Sequence, residues 1–268
     1  MKNLLWVARF FYGAGVAGIG IQHFIYSTFR PMILAGNWPS TGAGVAISAY
    51  IIGAALIVGG VLIIFNIKAR IASLVLAILF FLLFWSHVYD QLFINPYGFH
   101  LGLWTNALKE LAFSGGALVM AATFPEGKSS IRNQWLLVVG RVFFSLLLII
   151  FGIDHFLYIE FVAPLVPDWI PGHTFWAYFA GIALAGAGLC ILFKIKIDLV
   201  ATLAGIMLII WFAILHIPRA IANPDNGGAG NEVTSVFQAL AFAGIAFGIA
   251  YLYKNNSKEL IAGKAVRR

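Results

Sequence analysis

Apolar runs long enough to cross a lipid bilayer recur along the whole of this 268-residue chain. A helix needs about 20 mostly apolar residues to span about 30 Å of hydrocarbon. Read between charged residues and Pro/Gly punctuation, the runs predict eight helices near 4–27, 43–66, 70–92, 103–124, 135–158, 174–194, 198–218 and 233–253. Composition agrees. Hydrophobic residues make up 62% of the chain and charged residues 10%, against about 25% charged in a soluble globular domain, so the chain cannot coat a water-facing surface. Lys2 precedes an apolar stretch that is longer than a signal-peptide core and has no small-x-small cleavage pattern, which predicts a retained first span.

Net charge is +7, but the basic residues sit at span ends and form no single stripe, so no nucleic-acid partner is expected. Cytoplasmic loops retain Lys and Arg. Arg9, Lys68, Arg70, Lys128, Lys194, Lys196 and the basic tail lie on the side of the N-terminus, leaving only Arg30, Lys109 and Arg219 for the other. Both termini are thereby expected on the cytoplasmic side of the membrane. Arg9 and Arg141, at matched inner-face positions, are expected to snorkel to lipid phosphate or, as the second choice, to pair with a neighbouring helix end. Cys190 is the only cysteine, which excludes an intrachain disulfide or a two-thiol relay.

Laid on itself, the chain aligns Arg9 with Arg141, His23 with His155, Phe24 with Phe156, Tyr26 with Tyr158 and Phe29 with Phe161. With small changes of offset, Tyr50 then meets Tyr178, Gly53 meets Gly181, His87 meets His216, Asn95-Pro96 meets Asn223-Pro224, Thr105 meets Thr234 and Phe113 meets Phe242. A repeat with an even number of spans returns to its starting side, so the two copies point the same way, related by an axis along the membrane normal. The expected fold is an all-α membrane protein of eight transmembrane helices in two parallel four-helix-bundle repeats. Residues 1–124 form the first repeat, 125–133 a cytoplasmic linker, 134–253 the second repeat and 254–268 a basic, solvated cytoplasmic tail.

The stretch Gly152-Ile153-Asp154-His155-Phe156, followed by Val166-Pro167-Asp168-Trp169-Ile170-Pro171 and then His216-Ile217-Pro218-Arg219, resembles the DoxX-like family of small four-helix bacterial membrane proteins. The resemblance covers nearly all of the second half. The first half keeps Gln22-His23-Phe24 and Trp38-Pro39 but lacks the Pro-x-Trp-Ile-Pro element, as a diverged copy would. The resemblance implies a membrane subunit or partner of a quinone-linked oxidoreductase. A related branch performs thiol relay, a role the single cysteine argues against.

Ionisable groups inside a membrane cost several kcal/mol unless they face protein or water, which marks each as a functional candidate. Here they gather toward one side: His23 and His155 late on the first and fifth spans, His87 and His216 late on the third and seventh, and Lys109-Glu110 early on the fourth. Gln238 takes the repeat position of Lys109, and Arg219 with Glu232 adds a base and an acid. His155 and His216 are the candidate proton donors and acceptors of a quinone site, since imidazole titrates near neutral pH. Asp154 or Glu232 is the candidate to orient them, and Tyr158 and Trp169 are candidate walls for a flat head group. Two alternatives stand beside this. One is bis-histidine haem, from His23 with His155 or His87 with His216. The other is a non-enzymatic scaffold that docks an oxidoreductase subunit or a second copy of itself. No Glu-x-x-His or His-Glu-x-x-His spacing occurs, so no metal site is assigned.

Overall fold

The computed structural model describes residues 2–30, 33–34, 42–94, 100–124, 131–224 and 231–265. Trp38-Pro39, Asn95-Pro96, most of the linker and the last three residues lie outside them. The described residues are helical: α1 Lys2–Tyr26, α2 Ala43–Ile64, α3 Ala69–Tyr89, α4 Leu101–Ala122, α5 Ile131–Leu157, the short α6 Ile159–Val162, α7 His173–Phe193, α8 Ile197–Trp211, α9 Ile217–Ala222 and α10 Asn231–Ala265. A π-helical turn, Asp90–Ile94, prolongs α3, and another, Phe212–His216, joins α8 to α9. The predicted tail is an extension of α10, whose backbone stays helical to Ala265.

Seven of the helices are long and apolar enough to cross a membrane, so the molecule is a multi-pass membrane protein. α4 has the same 22 residues as α2 but carries Lys109 and Glu110, and it is not among the seven. It compensates by burial. Lys109 and Glu110 are both on its enclosed surface, and 15 of its residues are buried. α10 is similarly enclosed, with 72% of its apolar window buried against 22% to 44% in the other six candidate spans. These two helices meet at the centre. α1 packs on α2 and α10, α8 on α10 and α7, α5 on α7 and α4, and α3 on α4 and α2, a closed ring of contacts that α4 and α10 bridge.

The outward faces are apolar. Ile71, Val75, Ile78 and Leu82 form an exposed stripe on α3, and Leu199, Leu203, Ile206 and Ile210 form one with the same spacing on α8. Exposed apolar surface of that extent suits hydrocarbon rather than water. The α2–α3 turn places Asn66 and Lys68 in the left-handed region, and the α7–α8 turn does the same with Lys194 and Lys196. Interiors correspond as well. A Cβ at Gly53 would lie 2.9 Å from the Cβ of His23, and one at Gly181 would lie 2.9 Å from the Cβ of His155. The small residues therefore let α2 ride on α1, and α7 on α5, at backbone distance.

Arg9 and Arg141 take the second of their two expected roles, pairing with a neighbouring helix end. Arg9 donates to the Thr123 hydroxyl and carbonyl at the end of α4, at 3.0 and 2.5 Å, and its guanidinium lies over Phe124. Arg141 donates to the carbonyls of Ile191 and Leu192 at the end of α7. Arg70 adds bonds to the Ala121 and Phe124 carbonyls. A helix leaves its last carbonyls without partners and carries partial negative charge there, so buried guanidinium donors go to those ends in preference to lipid phosphate.

Candidate functional site

A cavity of about 680 Å³ opens between α4, α5, the α6 segment, α7, the α8–α9 junction and α10. Its walls are mostly apolar, with Phe151, Leu184, Leu208, Trp211 and Phe242 among them. Six of the residues singled out in the sequence line it: Asp154, His155, Tyr158, His216, Lys109 and Gln238.

His155 is placed by the last turn of α5, where its Nδ1 lies 2.6 Å from the Phe151 carbonyl. A carbonyl can only accept, so Nδ1 carries the proton and the neutral ring keeps an acceptor lone pair on Nε2. The same bond recurs in α1, where His23 Nδ1 lies 2.9 Å from the Ile19 carbonyl. Asp154 accepts at Oδ2 from the Thr105 hydroxyl at 2.5 Å, while its Oδ1 is buried with no hydrogen-bond partner. The counterpart pair in α1 and α10 also bonds, Thr234 donating to Gln22 Oε1 at 2.7 Å. His216 comes at the end of the π-helical turn, where the extra residue per turn re-aims a side chain. Its Nδ1 and the Nε2 of Gln238 are buried without partners. Lys109 donates to Asn106 Oδ1 at 3.1 Å and sits over the Phe151 ring, 5.6 Å from the centroid. Its remaining N–H donors are available to the cavity.

The other candidates fall elsewhere. Glu232 and Arg219 form a two-pronged ion pair, with Arg219 Nε 3.0 Å from Oε2 and a second bond from Nη2 to Oε1, and neither residue lines the cavity. Trp169 is 71% exposed and forms no part of the wall. Glu110 is fully buried, with both carboxylate oxygens unpartnered, but does not line the cavity. His23 and His87 are buried in the first half and do not reach the cavity, so each histidine pair considered for haem has one member in the wall and one outside. Among the described residues no group of three or more His, Cys, Asp or Glu side chains is gathered as metal ligands.

Three wall residues are not legible in the sequence as site residues. His100 stacks on Tyr158 with centroids 5.0 Å apart, and the Tyr158 hydroxyl accepts from the Gly102 N–H at 3.2 Å. Trp211 closes the α8 side. Thr105 orients Asp154, and only its alignment with Thr234 pointed to it. Comparison with models of protein families, with curated proteins and with solved structures found no match.

Proposed function

We propose that this chain is an eight-span inner-membrane protein of bacteria, similar to the DoxX-like family, that holds a quinone-class head group in the second-half cavity as a subunit or partner of a quinone-linked oxidoreductase. The observation that carries this reading is the set of polar atoms without partners inside an apolar chamber. Buried polar groups are normally hydrogen-bonded, and those left over point to an absent partner. Asp154 Oδ1, His216 Nδ1 and Gln238 Nε2 are such atoms. A quinone brings two carbonyl acceptors on a flat apolar ring, which suits donation from Gln238 and Lys109 within walls of Tyr158, Phe151 and Trp211. The ring's reduction takes two electrons and two protons. Electrons belong to the partner enzyme in this reading, and His155 and His216 stand where protons can be passed.

Two parallel repeats account for the matched interiors: the His23 and His155 bonds, the Thr234–Gln22 and Thr105–Asp154 pairs, the two left-handed turns and the two exposed stripes. α4 then serves as the eighth span, shielded by its neighbours and long enough to cross at about 1.5 Å per residue.

Solvent extraction of the purified protein should release quinone, and His155→Ala and His216→Ala should each lower the amount bound. Equal amounts in both variants and the parent would remove the histidines from the binding account. Topology has its own check. A reporter fused after Arg268 should be active only in the cytoplasm, and periplasmic activity would overturn the parallel eight-span arrangement.

A further inference from the structure

The cavity wall has a first-half counterpart that is filled by the chain itself. In the repeat register, Val162 and Leu165, which line the cavity, correspond to Arg30 and Ile33. Arg30 is 1% exposed and Ile33 0%. The Arg30 guanidinium lies 3.9 Å from the centroid of Tyr26, the counterpart of Tyr158, and acts electrostatically on His23, the counterpart of His155. The Ile33 backbone bonds to His87, the counterpart of His216. Arg30 and Ile33 thus lie beside the two first-half histidines, whose Nε2 atoms are buried with no hydrogen-bond partner.

We propose that the first half contains a second binding site for a flat-headed amphiphile, held shut by the chain's own Arg30. An alkyl stem ending in a planar guanidinium, stacked on a tyrosine, is itself a flat-headed amphiphile, and it takes the place that a ligand takes in the other half. The substitution of valine for arginine at the equivalent position is what leaves the second-half cavity open. The register of this inference rests on the repeat arrangement proposed above, and its ligand class rests on the quinone reading.

Diethyl pyrocarbonate and decylubiquinone test the two parts separately. The reagent's carbonyl carbon is attacked by the unprotonated imidazole nitrogen, which forms an N–C bond while ethyl carbonate leaves. In His23 that nitrogen is Nε2, because Nδ1 donates to Ile19. In detergent-purified Arg30→Val, peptide mapping should find His23 modified to the level of His155 in the parent, against background in the parent. Decylubiquinone bound at saturation should rise from one to two per chain. Val162→Arg should do the reverse in the second half, protecting His155 and abolishing binding. His23 as protected in a monodisperse Arg30→Val protein as in the parent overturns the proposal, as does a His155 that stays reactive in Val162→Arg. Should Arg30→Val fail to fold, the reciprocal variant decides. If the parent binds no decylubiquinone, the quinone reading falls, while histidine modification still decides whether Arg30 shuts a site.

Discussion

Gly140→Leu should leave almost no folded protein in detergent, whereas Gly186→Leu should be accepted with a thermal midpoint close to the parent's. At Gly140 a Cβ would lie 2.3 Å from the Gly115 carbonyl oxygen, and at Gly115 a Cβ would lie 2.7 Å from the Gly140 oxygen. α4 and α5 therefore touch backbone to backbone. Overpacking where side chains can move aside costs about 1–3 kcal/mol. Here no side chain can yield, and the helices themselves must separate. That separation would open the seam between the first and second halves, and the cavity with it, because α4 and α5 carry Lys109, Thr105, Asp154 and His155. Gly186 is the control: nothing lies within 4 Å of the Cβ it would gain, and a change at such a surface is worth about 0.5 kcal/mol or less. Thermal melting and elution profiles of the two variants compare them directly. A Gly140→Leu protein that melts with the parent would show that α4 and α5 do not approach this closely.

Seven of the spans were readable because burial in lipid demands long apolar runs; the run at 103–124 is a helix outside those seven, and the last helix continues to Ala265, well past the predicted 253. Depth along a span was readable for the same reason. Polar residues placed late on one span and early on the next had to lie at one level, and Asp154, His155, His216, Lys109 and Gln238 do share one chamber. Azimuth was not. A helix apolar on every side gives no signal of which face meets protein and which meets lipid, so Glu110 could be placed at the right depth but not turned about 100° round α4 from Lys109, out of the cavity wall. Glu232 and Arg219 illustrate a second gap. Their sequence positions are compatible with the cavity, but two long side chains of opposite charge find each other first. Trp169 illustrates a third, since a tryptophan near a span end belongs equally to a binding wall or to a membrane interface, and its exposure keeps it out of the cavity wall.

Arg9, Arg70 and Arg141 show how a local rule yields to a tertiary one. Snorkelling assumes that lipid phosphate is the best acceptor within reach. Helix ends offer something better when they lie close by: carbonyls already fixed in place and lacking donors. Arg9 and Arg70 converge on the end of α4, and Arg141 on the end of α7. Sequence spacing does not reveal these pairings, because they join residues between 50 and 114 positions apart.

Lys109→Met should destabilise the protein by about 3–5 kcal/mol, the cost of leaving a buried carboxylate without a compensating cation. Lys109 and Glu110 are adjacent on α4 and both buried, so the lysine is the cation next to the carboxylate in the chain. With the lysine gone, the Glu110 carboxylate, whose oxygens have no hydrogen-bond partner, would be left in an apolar surround. Replacing both residues, Lys109→Met with Glu110→Met, should therefore recover most of the lost stability, since apolar substitution of a whole buried pair is often neutral or favourable. Thermal melts of the two single variants and the double variant give the coupling directly. The same three proteins separate architecture from binding. Lys109 faces the cavity and Glu110 does not, so the double variant should fold well yet bind quinone as poorly as Lys109→Met. A double variant with restored quinone binding would make Lys109 a neutralising partner of Glu110 and nothing more, while one that remains as unstable as Lys109→Met would show that the two charges do not depend on each other.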